Sequence, residues 1–313
     1  MKNTFKLLFV TSAILLSCKT KFAIGKPSAK DAQLDYTAYY LTMYKADSLF
    51  LINDFDGSYK LLDSLFKVYE PLDCDNYGEY GIYLYSAVMS NHTEDIDKKV
   101  RFGYKHFGGI QTHHKKSYEM YLEVNKAANI SEEEISALKL AYHNSLNHKL
   151  RNKMIQMYQD DQNVRLQNKG DEAMEIVDER NRIQLNAIFK EFGFPRKELI
   201  GSNNAYDIPN AAFITVGTFF LHQPDSVQNK YLPILLQAAK KGYCEPDLYA
   251  DLYDRMLLNK NQKQYYGTYT CPDGILCEFS NPSKIDSIRA SVGLPHHTFY
   301  PWKIKQQTSE ENQ

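Results

Sequence analysis

Asp161 and Arg165 stand four residues apart with the acid first, and Asp178 and Asn181 follow on the next amphipathic stretch. On a helix that order sets a carboxylate beside a guanidinium. His222 comes later, and the stretch "YADLYDRMLLNKNQKQYYGTY", residues 249–269, adds Asp251, Asp254, Arg255 and Gln264. Such residue types suit two kinds of chemistry. Arg165 and Arg255 could clasp an anionic group through paired hydrogen bonds, with Gln162 beside them. His222 could take and return a proton.

Helical periodicity separates these residues. At the helical period, Asp161 and Arg165 fall within about 20° of the apolar stripe that carries Leu150, Met154 and Tyr158. Asp178, with Asn181 on its shoulder, falls on the stripe of Leu185 in the same way. Two helices therefore carry polar groups on faces that should be buried, and buried charges must be paired. The plainer reading is an internal network of Asp161, Arg165 and Asp178 that locks two helices in register. The sharper reading is a polar cleft between those helices that receives a ligand. His222 sits where a helix should end, and a helix C-terminus favours its protonated form. On the helix expected over 247–259, Asp251 and Arg255 make an i,i+4 pair at the core edge. Asp254 points almost the opposite way, toward solvent.

Several chemistries lack their signatures. No nucleophile elbow, phosphate loop or metal-ligand spacing accompanies these residues, so neither a metal nor a cofactor is expected. The pairs His113 and His114, His143 and His148, and His296 and His297 lack same-face spacing and read as surface or loop residues. The charge balance of 37 basic against 38 acidic residues speaks against nucleic acid as a partner. Hydrophobic residues make up 43% of the 313, with 24 Tyr and 16 Phe, enough for a packed, ring-rich core.

The elements that must position these groups are mainly α. Residues 36–128 read as a helical-hairpin module of tetratricopeptide-like character. In it Ser58, Leu62 and Leu65 are echoed 38 residues later by Ile96, Val100 and Gly103. Residues 131–302 read as a second, mainly helical domain with a small β-hairpin. A capping box at Ser131 and Glu134 should open one long helix over 131–168. Further helices are expected over 171–192, from Pro209 to His222, over 224–241 with a kink at Pro233, over 247–259 and over 283–291. A hairpin should turn at Pro272-Asp273-Gly274, and 303–313 should be a loose polar tail.

The first segment, "MKNTFKLLFVTSAILLSC", pairs a basic start with an apolar run too short to span a bilayer. Its end, Leu15-Leu16-Ser17-Cys18, resembles the lipobox of bacterial lipoproteins. The resemblance implies cleavage after residue 17 and lipidation of Cys18. Several acyl chains would anchor the protein to the membrane, with 18–35 as a tether. The lack of acidic residues just after Cys18 points to the outer membrane, facing the periplasm. That compartment permits disulfides. Cys271 and Cys277 are the candidates, although the turn should set their sulfurs diagonal to each other rather than opposite.

Taken together, these motifs resemble a bacterial family catalogued only as domain of unknown function 6624, across 158–300. They are Asp161-Gln162-x-x-Arg165, Asp178 with Asn181, and Phe192-Gly193-x-Pro195 leading to Gly201. Next come His222, Gln228-x-x-Tyr231-Leu232-Pro233, Asp254-Arg255, Gln264-x-Tyr266-Gly267-Thr268 and Arg289-x-x-x-Gly293-Leu294-Pro295. This chain has Leu221 and Tyr269 where the family often has glutamine. The resemblance implies domain limits and a motif set, not a mechanism.

Two functions follow as expectations. One is a lipid-anchored envelope protein that binds or scaffolds a protein partner through its helical module. The other is an envelope hydrolase or small anionic-ligand-binding domain, with a cleft of Asp161, Arg165, Asp178, His222 and Arg255.

Overall fold

Tyr39, Tyr40, Met43, Tyr44 and Phe50 recur at helical spacing, and all are buried on one face of α1 (Tyr36–Leu51). They begin the larger of two main cores. The computed structural model describes residues 34–72, 78–112, 116–201, 216–271 and 274–309. The signal, Cys18 and most of the tether lie outside them.

The front half continues with α2 (Phe55–Val68), α3 (Glu79–Met89), α4 (Ile96–Phe107), α5 (Ser117–Ala127) and α6 (Glu132–Ser145). Helices α1 and α2 pack together, α2 against α3, and α4 against α6. The echoed triplets hold equivalent places: Ser58, Leu62 and Leu65 are buried on α2, and Ile96, Val100 and Gly103 on α4. Asparagine stops these helices. Asn53, Asn91 and Asn129 each lie two residues past a helix end at positive φ, where asparagine is tolerated better than other side chains.

Ser131 caps α6 by accepting from the Glu134 backbone, as its capping box requires. The Glu134 side chain instead forks onto Arg101 of α4, at 2.6 and 2.9 Å. The single long helix expected over 131–168 is two helices. The chain breaks at Leu146, and α7 (His148–Leu166) starts afresh on Asn147, whose side chain accepts from Leu150 N at 3.0 Å. The Asn147 backbone N–H goes to Leu199 O at 2.8 Å, just outside the helix it might have extended.

The back half comprises α7, α8 (Asp171–Phe192), α9 (Lys197–Ile200), α10 (Gly217–Leu221), α11 (Asp225–Lys240) and α12 (Asp247–Asn259). Of the helix expected from Pro209, only α10 lies within the described residues, since 202–215 fall outside them. Leu150, Met154, Met157, Leu185, Phe219, Phe220 and Leu235 form the second core. A 3₁₀ turn (Pro282–Lys284) leads into α13 (Ile285–Ala290), close to the helix expected there.

Two expectations fail at the C-terminal end. No strand forms among the described residues; the hairpin reduces to isolated bridges, Gln264 with Phe279 and Thr270 with Leu276. The reason is where the backbone donors go. Tyr265, Tyr266 and Thr268 give their N–H groups to the Asp254 carboxylate, and Tyr269 gives its own to the Gln264 side chain. Little is left for a ladder. The Cys271–Cys277 disulfide does form, with the Cα atoms 5.0 Å apart. The expected loose tail is helical as far as it is described: α14 (Phe299–Ser309) runs through Lys303 and packs on α1, and 310–313 lie outside the described residues. Phe299 joins the front core, with Tyr300 and Trp302 against it. Lys303 Nζ reaches buried Asp47 at 2.6 Å. The front core thus takes in Phe299, and Ile135 of α6, from beyond residue 128.

Candidate functional site

The stripe argument places Asp161 correctly. Its side chain is 1% exposed, and Gln162, Arg165 and His222 each turn a nitrogen toward it. Gln162 Nε2 lies 2.8 Å from Oδ2, His222 Nδ1 lies 2.8 Å from Oδ1, and Arg165 Nη2 lies 3.2 Å from Oδ1. Arg165 Nη2 also reaches Asp178 Oδ1 at 2.5 Å, so one guanidinium spans both carboxylates. Three elements converge here. Helix α7 supplies Asp161, Gln162 and Arg165, α8 supplies Asp178, and His222 is the residue that ends α10.

The two carboxyls are driven in opposite directions. Burial alone would raise Asp161, but hydrogen bonds from His222 and Arg165 hold it below the usual aspartate range. Burial prevails at Asp178 and lifts it above that range despite Arg165. The same guanidinium thus faces two carboxyls whose surroundings favour ionisation to different degrees.

The cluster opens on one side. The His222 and Arg165 side chains are 25% and 24% exposed. Among the described residues His222 Nε2 has no partner, and Arg165 Nη1 meets only Met174 Sδ at 3.3 Å. Asn181, expected beside Asp178, is buried one turn further along α8 and donates Nδ2 to Met157 O at 3.3 Å. Its Oδ1 is buried without a donor, as is Oε1 of Gln228 on α11. Sequence reasoning missed Gln223, which donates to Asp178 O at 3.0 Å. Its place directly after His222 was the available signal.

The donor atoms of Asp161, Asp178 and His222 lie within 4.8 Å of one another, close enough to suggest a cation. Arg165 already neutralises both carboxylates from within that space. A metal would have to displace or repel it, so the set does not fit one. The open depression beside Arg196, Pro233, Lys241 and Tyr243 includes none of these residues.

Asp254, Arg255 and Gln264 belong elsewhere. Asp254, expected in solvent, is fully buried and accepts from Tyr265 N, Tyr266 N, Thr268 N and Thr268 Oγ1 at 2.7–3.2 Å. Gln264 is equally buried and donates to Tyr269 O and Cys277 O at 2.9 and 2.8 Å. Arg289 completes the set, with Nε on Pro295 O at 2.6 Å and Nη1 on Tyr266 O at 2.7 Å. These three side chains serve as backbone for a loop that has no ladder of its own. Gly267 belongs to the same tie: its φ is +68°, and a Cβ there would meet the Phe279 ring at 2.6 Å.

The expected Asp251–Arg255 pair is absent among the described residues. Arg255 is exposed and lies over the Tyr269 ring at 5.9 Å. Asp251 is partly buried; burial first, then the carboxylates of Asp247 and Asp254, push it up to about 8. Among the described residues no hydrogen bond or ion pair joins this set to the His222 cluster. No family model, no curated protein and no solved structure matches this chain.

Proposed function

We propose that the back half binds a small anionic ligand at the Asp161–Arg165–His222 cluster and moves a proton to or from it through His222. One observation carries this reading. His222 Nδ1 is held by a buried carboxylate while Nε2, the other ring nitrogen, is left for a ligand. A carboxylate in that position fixes the tautomer and steadies the imidazolium that forms on protonation. The Arg165 donors not committed to aspartate can meet an anion's oxygens. The motifs that resemble those of family 6624 include Asp161, Arg165, Asp178 and His222, which supports treating them as one site. The lipobox-like start supports reading the protein as lipid-anchored in the envelope.

A second reading keeps the front half as the working surface, with a protein partner bound by stacked helical hairpins. The equivalent burial of Ser58, Leu62, Leu65 and Ile96, Val100, Gly103 favours it. Thermal unfolding of the full chain, with and without inorganic phosphate, separates the two. The ligand-site reading expects His222→Ala to lose no more than its one hydrogen bond to Asp161, about 0.5–1.5 kcal/mol, a shift of a few degrees at most. It also expects phosphate to raise the wild-type midpoint and not that of Arg165→Lys. A His222→Ala variant that unfolds many degrees early, with no phosphate effect on wild type, leaves the cluster a purely structural lock.

A further inference from the structure

Asp286, His296 and His297 form a second, separate constellation. His296 Nε2 lies 2.8 Å from Asp286 Oδ2, and His297 Nδ1 lies 2.9 Å from Asp286 Oδ1. The three donor atoms fall within 4.8 Å of one another. We propose that this set binds a divalent transition-metal ion of the kind that prefers imidazole, with zinc as its representative.

Donor chemistry is the first argument. Two imidazoles and one carboxylate suit zinc, and three protein ligands leave a position for water. Tetrahedral zinc, with bonds of about 2.0–2.2 Å, spaces its ligands about 3.3 Å apart. The two carboxylate–imidazole separations, each to a different oxygen of Asp286, would widen by about 0.5 Å on that geometry, and the remaining donor separations, all within 4.8 Å, would close toward it. The His296 side chain, 57% exposed, can move that far.

The support beneath the donors is the second argument. Thr298 Oγ1 lies 2.8 Å from His296 Nδ1 and can accept the proton that Nδ1 carries once a metal takes Nε2. In the present arrangement Nδ1 can instead accept from the Thr298 backbone N–H at 3.3 Å, so metal entry at Nε2 shifts the ring's proton to Nδ1. The His297 backbone N–H holds Asp286 Oδ1 at 2.9 Å and orients the carboxylate. The Phe279 ring packs edge-on against the His297 ring at 5.8 Å.

The loop is also fixed from below. Arg289, one turn past Asp286 on α13, is buried and grips Pro295 O, directly before the histidine pair. Leu294 N closes back onto Arg289 O at 3.0 Å. The donors therefore stand on a rigid turn rather than a loose one. Unlike the His222 cluster, this set has no guanidinium between its donors. Arg289 directs its donors to backbone oxygens.

Calorimetric titration of the metal-stripped full chain with zinc chloride tests the proposal. Wild type should bind one zinc ion. His296→Ala and His297→Ala should each weaken binding by about a hundredfold or more, and Thr298→Val by about tenfold, while His222→Ala binds as wild type does. His296 is exposed, so its variant should fold even if that of His297 does not. No zinc binding by wild type, or undiminished binding by His296→Ala, would overturn the site. Loss of binding in His222→Ala alone would likewise overturn it and move the metal to the other cluster.

Discussion

His222 Nδ1 stands 2.8 Å from Asp161 Oδ1 across 61 residues of chain, and the carboxylate it meets is almost wholly buried. Removing that carboxylate strands the Arg165 and His222 donors together. Asp161→Ala should therefore cost about 3–5 kcal/mol, read from urea unfolding at pH 7. The pH dependence has a definite sign. The folded-state pKa of Asp161 lies below its ordinary value, so the unfolded chain takes up the proton first as pH falls. The stabilisation is full above the ordinary aspartate range and is lost as pH falls through the folded value. The gap between wild type and Asp161→Asn should be wide at pH 7 and should narrow below about pH 4.

Asp251 has the opposite sign. Its pKa rises from 3.8 to about 8 on folding, so over that window the folded chain holds a proton that the unfolded chain has released. Stability from this group falls as pH rises across the window and then levels. Asp251→Asn resembles the protonated acid throughout. Its melting temperature should match wild type near pH 4 and exceed it at pH 8; equal midpoints at both pH values would refute the assignment.

Lys303 and Asp47 join the last helix to the first. Lys303→Ala leaves a buried carboxylate without its ammonium partner and should cost about 3–5 kcal/mol. Asp47→Ala combined with Lys303→Ala should cost clearly less than the sum of the single changes. Urea unfolding of all four forms supplies the cycle, and strict additivity would mean that the pair does nothing.

How far the sequence reaches depends on whether a residue's partner lies on its own helix. Asp161, Arg165 and Asp178 were legible because each helix announces its buried face by its own apolar spacing. Asp254 was not, because its cover is a loop that returns from 264–269, and a helical wheel knows nothing of other segments. The same blindness hid the hairpin's failure, since Asp254 and Gln264 take up backbone donors that strand patterning assigns to a neighbour. The break at Asn147 had a local signal, an asparagine able to cap, which the uninterrupted apolar pattern overrode. His296 and His297 read as loop residues because adjacent side chains share no helical face. Their common partner, Asp286, is set by the turn that Arg289 closes.

The return of α14 to α1 also bears on the order in which the protein can assemble. A chain emerging N-terminus first can wind α1 through α6 long before it possesses Phe299, Tyr300 and Trp302. Until those residues arrive, the tyrosine-rich face of α1 lacks one of its covers, and Asp47 lacks its lysine. The front half therefore cannot reach its final packing until residues 299–303 have been made, unlike an independent N-terminal domain. That distant segment is a condition for a finished N-terminal half.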